Sequence, residues 1–365
     1  AKKIDYKKAL GIGYNVLGTA SKMQGHYPAA IDYFQKSIDI WIAKKDSMGL
    51  GATYANLGEV YRLKTDYPEA LKYFLLSLRI DEALQYEIGI AYAYNYLGAT
   101  YQELGDYTKA LENFQAALEI RLRLGLDAGI AAGYNNIGTI YADEGKFAEA
   151  LENYKASLAI KEKIDDRYGM ANTYINIGDV YHKQGDQQEA MKYFSLALKL
   201  QKDLEDQEGM AATYIAMAAS RIATKQYAEA SSLLTKVVSI SKEIGSLYYL
   251  RDGYATFAHL DSITGNHKQG LEHYKLYVAA RDSITNEENT RKLVETQMQY
   301  DFDKKESLAK AEQDQKDFLA LKAMQKQKMV RNGFMGGFAV VLLFAGILLS
   351  QRNKIKQGKK RSDEL

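Results

Sequence analysis

The sequence predicts an all-α protein: a stack of about seven 40-residue helical hairpins, then a long polar helix, then a single membrane-spanning helix. Three observations predict it. A tyrosine recurs every 40 residues, at Tyr14, Tyr54, Tyr94, Tyr134, Tyr174, Tyr214 and Tyr254. The composition, 47% apolar and 26% charged with only two prolines, favours helix almost throughout. Near the C-terminus, residues 333–350 form a run of 18 without a charge.

Composition also excludes function classes. The absence of cysteine removes disulfides, thiolate metal sites and a cysteine nucleophile. A net charge of +2, spread along the chain, offers no basic face to nucleic acid. His26, His182, His259, His267 and His273 show no ligand spacing on a shared helix face, so neither a metal nor another cofactor is expected.

Ile4-Asp5 stands in register with Ile164-Asp165, which closes a hairpin, so the chain is expected to open in the tail of an earlier repeat. Each hairpin then follows one plan. Three residues after the tyrosine comes an apolar residue with a small one, from Leu17-Gly18 to Phe257-Ala258. A small residue follows at Ala30, Ala70, Ala110, Ala150, Ala190, Ala230 and Gly270. A large one follows at Phe34, Phe74, Phe114, Tyr154, Phe194, Leu234 and Tyr274. Apolar residues fall at helical spacing in two blocks, separated by turns such as Thr65-Asp66-Tyr67-Pro68 and Gly105-Asp106-Tyr107. Glycine in such turns supplies the left-handed residue of a helix C-cap. Gly18, Gly58, Gly98, Gly138 and Gly178 instead lie inside the first helix, helix A, where each costs about 1 kcal/mol against alanine. A cost repeated five times implies close approach of the second helix, helix B.

The order aromatic, Leu-Gly, Tyr, Ala, Phe resembles the tetratricopeptide repeat, with tyrosine standing for the family tryptophan and a period about six residues above the usual 34. The second family tyrosine is present at Tyr61, Tyr101, Tyr141 and Tyr181, whereas Arg221 and Asp261 replace it in the last two units. The resemblance implies a superhelix whose concave wall is lined by helix A. It places Asn56, Glu59, Arg62, Tyr92, Asn95, Tyr96, Gln102, Asn135, Asn136, Thr139, Asp143, Asn172, Asn176, Asp179 and His182 on that wall. Side-chain amides there suit the backbone of a protein or peptide ligand. They suit equally links between neighbouring helices, or a plain solvated face. In the sixth unit Ala212, Ile215, Ala216, Ala219, Ile222 and Ala223 replace the polar lining, a strip that calls for cover by ligand, partner or the chain itself.

Residues 282–332 are rich in Lys, Glu, Gln, Asp, Ala and Leu, without Pro and with no regular heptad, and predict one long polar helix able to form a coiled coil. Residues 333–350 are expected to span a lipid bilayer, since 18 helical residues reach about 27 Å. Gly333 and Gly337 form a GxxxG pair, one route to a homodimer. The basic residues crowding 351–365 predict a cytoplasmic C-terminus, an inner-membrane anchor and periplasmic repeats. The expected division is therefore 1–281, 282–332, 333–350 and 351–365.

Repeats, long helix, span and the exit Gln351-Arg352-Asn353-Lys354-Ile355-Lys356 together resemble bacterial membrane receptors, most closely the sensor half of a class III adenylate/guanylate cyclase. That resemblance implies a binding and transmission region for an output domain absent from these residues. The chain carries neither the paired metal-binding aspartates of a cyclase nor a GxxxxGK[ST] loop, so it is expected not to be an enzyme itself. A membrane-anchored scaffold without output, or the sensor of a histidine kinase, are the other readings.

Overall fold

A computed structural model describes residues 6–284, and beyond them 313, 315–317, 322, 324–325, 327–328, 342–352 and 354. The chain divides into two compact units, Ala1–Thr296 and Gln297–Leu365. The first contains α1 (Tyr6–Met23), α2 (Tyr27–Lys44), α3 (Ser47–Leu63), α4 (Tyr67–Ala83), α5 (Glu87–Glu103), α6 (Tyr107–Leu124) and α7 (Asp127–Asp143). It continues through α8 (Phe147–Lys163), α9 (Arg167–Gln184), α10 (Gln187–Asp203), α11 (Gln207–Ala223), α12 (Tyr227–Glu243) and α13 (Leu247–Ile263). A last helix, α14, covers residues 267–284. Odd-numbered helices are the A helices and even-numbered ones the B helices, so seven hairpins stack among the described residues. Ile4 and Asp5 lie outside them.

One junction joins every pair of helices. After α5, the Gly105 N–H donates to Gln102 O and the Asp106 N–H to Tyr101 O, both at 2.9 Å. This is the Schellman arrangement, which satisfies carbonyls that a helix end leaves open. Asp106 then opens α6, its Oδ1 accepting from the Lys109 N–H at 3.2 Å. Such a cap is worth about 1 kcal/mol. The left-handed residue recurs every 20 residues, from Gly25 to Gly265. Where Lys45, Thr65, Gln85, Asp165, Glu205 and Lys225 hold that position, the strain is of order 1 kcal/mol each. The side-chain pattern repeats every 40 residues, but the backbone repeats every 20.

Inside the first five hairpins the B-helix ring sits on the A-helix glycine. Phe34, Phe74, Phe114 and Phe194 are at most 1% exposed. A Cβ added at Gly18, Gly98 or Gly178 would stand 2.6, 2.8 or 2.5 Å from the facing ring. The glycines thus let the helices close on an aromatic, as their repeated cost implied. In the sixth hairpin Ala218 and Leu234, both fully buried, exchange ring for methyl. The same B helix also packs on the next A helix: Ala70, Phe74 and Leu78 of α4 form one cluster with Ala93 and Leu97 of α5. The core is therefore a continuous ribbon along the stack.

Successive A helices touch, α1 with α3, α3 with α5, α7 with α9, α9 with α11 and α11 with α13, while no two B helices approach as closely. The stack therefore bends with its A helices inside. The candidate residues lie on these A helices.

In the second unit the expected membrane-spanning helix is corrected. Among the described residues no helix is long and apolar enough to cross a membrane. Within 333–350 the described residues are 342–350. A charge-free run is necessary for a span but not sufficient for one. The bilayer as partner, the inner-membrane anchor, the cytoplasmic C-terminus and the periplasmic repeats were inferred from that span and fall with it. Residues 333–341, with the Gly333–Gly337 pair, lie outside the described residues, as does most of the expected polar helix over 282–332.

Candidate functional site

Asparagines pair across neighbouring A helices. Asn56 donates to Asn15 Oδ1, Asn136 to Asn95 Oδ1 and Asn176 to Asn135 Oδ1, each at 3.2 Å. Each pair is separated by 41 residues, one repeat plus one position, which places the two amides side by side on adjacent helices. The same offset joins Arg62 to Glu103 and Gln102 to Asp143. Glu59 pairs instead with Lys22. These candidate residues are brought together, and they link the hairpins to one another. Each pairing uses only one N–H of the donor, so among the described residues Asn136 and Asn176 keep an N–H and an oxygen open.

Most of the other candidates are engaged within the array. Tyr96 stacks on Phe74 with ring centroids 5.0 Å apart, and burial raises its phenol. Thr139 donates to Asn135 O and accepts from the Tyr154 hydroxyl at 3.1 Å, inside its own hairpin. The His182 ring shares a hydrogen bond with Gln187 at 2.7 Å, and Gln187 in turn accepts from Ser220 of α11. Asp179 is half-buried, and desolvation raises its carboxyl against the opposing pull of His182 and Lys183. Tyr92 and Asn172 are exposed. Of the apolar strip of the sixth unit, Ile215 and Ala216 pack against one core cluster and Ile222 against the next, while Ala223 is exposed.

The structure adds a column absent from the candidate set. The last turn of successive B helices presents Trp41, Asp81, Arg121, Lys161, Gln201 and Ser241, all at most 8% exposed. The first five lie over Gly49, Gly89, Gly129, Gly169 and Gly209 in the first turn of the next A helix. The glycine column at 40-residue spacing was the available signal; its varied partners hid it. Trp41 donates to Thr53, and Lys161 to Thr173 and Gly169 O. Arg121 donates through Nη1 to Asn95 Oδ1 at 3.3 Å and Gly129 O at 3.2 Å, and its guanidinium lies 5.9 Å from the Tyr92 ring centre. Burial pushes its pKa down, with Tyr92 opposing. Beside it opens a cleft of about 660 Å³, whose walls include Tyr92, Asn95, Leu126 and Asn136.

The sequence pattern of the tetratricopeptide repeat matches residues 10–83, 89–163 and 129–203, more than half of the chain. No curated protein matches it. Among solved structures, the apo form of RapI superposes with a TM-score of 0.62 at 19% identity, over 76% of this chain and 99% of that one. A signal transduction ATPase with a tetratricopeptide repeat sensor, from Pyrococcus horikoshii, gives 0.62 at 16%, over 76% and 43%. The Rap conjugation gene regulator of plasmid pLS20, in complex with a Phr peptide, gives 0.53 at 16%, over 75% and 74%. At such identities the likeness is one of fold.

Proposed function

Because the chain belongs to the tetratricopeptide repeat family, whose arrays are binding scaffolds rather than catalysts, we propose that its concave face binds an extended peptide or protein segment across α5, α7 and α9. The open amide groups of Asn136 and Asn176 carry this reading. Their spacing repeats along the wall, and each offers both a donor and an acceptor to a ligand backbone. Exposed Tyr92 and Asn172 flank them. Glu59, Arg62, Gln102 and Asp143 form a charged and polar border, and Tyr96, Thr139, Asp179 and His182 hold the wall in place. The peptide complex of a Rap regulator with the same fold supports the class of ligand.

A finer reading makes the array the sensor part of a signalling protein. The Pyrococcus protein, whose repeat sensor belongs to a longer signal transduction ATPase, favours it.

Decapeptides selected from a random displayed library on the full chain test the groove. The Tyr92→Ala/Asn172→Ala variant removes two exposed side chains that make no hydrogen bond among the described residues. The Asn95→Ala/Asn135→Ala/Asn136→Ala variant removes the amides. Both are expected to weaken the selected peptides at least about tenfold, equivalent to ~1.4 kcal/mol. Unchanged affinity for both variants would refute the assignment.

A further inference from the structure

Arg121 is buried without a counter-charge. It is 6% exposed, makes no ion pair among the described residues, and leaves Nε and Nη2 without a hydrogen-bond partner there. Its unbonded nitrogens are not fully buried, so they stay open to an anion in the cleft beside them.

A second positive feature faces the same place. In α3, α9 and α11 the N-cap aspartates Asp46, Asp166 and Asp206 accept from the N–H groups of Gly49, Gly169 and Gly209, at 3.0, 2.9 and 2.9 Å. At α7 the equivalent residue is Leu126, and no side chain caps the helix. The Gly129 N–H and its neighbours therefore present the positive end of a 17-residue helix uncapped. At α5, also uncapped, the Asp81 carboxylate lies against Gly89. At α9, where Lys161 takes the place of Arg121, Asp166 supplies an acid beside it. Among the described residues, α7 is where a buried cation and a helix start without a side-chain cap meet with no acid in ion-pair contact with the cation. Asp127 lines the cleft, but its carboxylate pairs with Lys163 at 2.8 Å, and Glu87 pairs with Arg123 at 2.9 Å.

We propose that the cleft between α5, α6 and α7 is an anion subsite that receives a side-chain carboxylate of the bound peptide, between Arg121 and the uncapped start of α7. The carboxylate takes the position that Asp166 and Asp206 fill in later repeats. It accepts from the free guanidinium N–H groups and the Gly129 N–H, with Tyr92 as an apolar wall. The cleft shares Tyr92, Asn95 and Asn136 with the groove, so the inference rests on the peptide reading for the source of the carboxylate but not for the anion site itself.

The test uses the full chain labelled with 15N-glycine, titrated with acetyl-aspartate amide, with the neutral isostere acetyl-asparagine amide, and with inorganic phosphate. The expected result is a saturable shift of the Gly129 amide with the aspartate probe alone. Arg121→Gln should abolish it. Leu126→Asp, which restores the cap found at Asp166, should also abolish it while raising Tm, and this second variant keeps the test valid if Arg121→Gln folds poorly. Equal response to the asparagine probe, response to phosphate alone, no saturable shift, or full binding by Leu126→Asp would each overturn the proposal. Failure of the peptide reading looks different: no decapeptide is retained, while the Gly129 shift with acetyl-aspartate amide persists.

Discussion

A Cβ on Gly58 would stand 2.7 Å from Cδ1 of Phe74, closer than packed carbons come. Gly58→Ala therefore sets a helix-propensity gain of about 1 kcal/mol against an overpacking cost of about 1–3 kcal/mol. A net loss of up to about 2 kcal/mol is expected in urea denaturation. The double variant Gly58→Ala/Phe74→Leu should recover part of that loss, because the chain already uses the pair at Ala218 and Leu234, both fully buried. A Gly58→Ala protein more stable than the parent would show that the ring is not seated as described.

Tyr154 stands where four other repeats carry phenylalanine, is 2% exposed, and donates to Thr139 at 3.1 Å. Burial pushes its phenol up to about 12, with the Thr139 hydrogen bond opposing. Tyr154→Phe should change stability by less than about 1 kcal/mol, since Thr139 keeps its own bond to Asn135 O and the ring keeps its packing. Alkaline absorbance titration should lose one phenol with a midpoint near 12.

Asp179 gives a pH-dependent prediction. Its carboxyl is raised from 3.8, chiefly by desolvation, so the folded state binds a proton more readily than the unfolded one. Below pH 3.8 both states are protonated and Asp179 carries no penalty. As pH rises from there through the raised folded value, stability is lost, and the loss is constant above it. Asp179→Asn should therefore stabilise the protein at pH 7 and lose that advantage in acid. Equal benefit at pH 3 and pH 7 would contradict this.

Much of the first unit was legible because side chains repeat. Tyr54, Leu57-Gly58, Ala70 and Phe74 announce helix, close approach and partner in one line. The junctions were half legible: glycine marked Gly105 and Gly145, but Gln85 and Glu205 adopt the same left-handed conformation without a glycine to announce it. The candidate wall was read from residues such as Asn95, Asn135 and Asn136, whose pairing with neighbouring asparagines depends on a 41-residue offset between adjacent helices that no local pattern encodes. Arg121 stayed hidden because it shares its position with Trp41, Asp81 and Gln201. The expected span rested on hydropathy alone, which reports an environment that a segment tolerates; among the described residues no helix is long and apolar enough to cross a membrane.

The crystal structure of the full chain bound to a selected decapeptide tests the central claim most directly. The account predicts a peptide lying along α5, α7 and α9, with backbone hydrogen bonds to the Asn136 and Asn176 amides and its acidic side chain at Arg121. A peptide seated on the B-helix face, or held without contact to those asparagines, would contradict it.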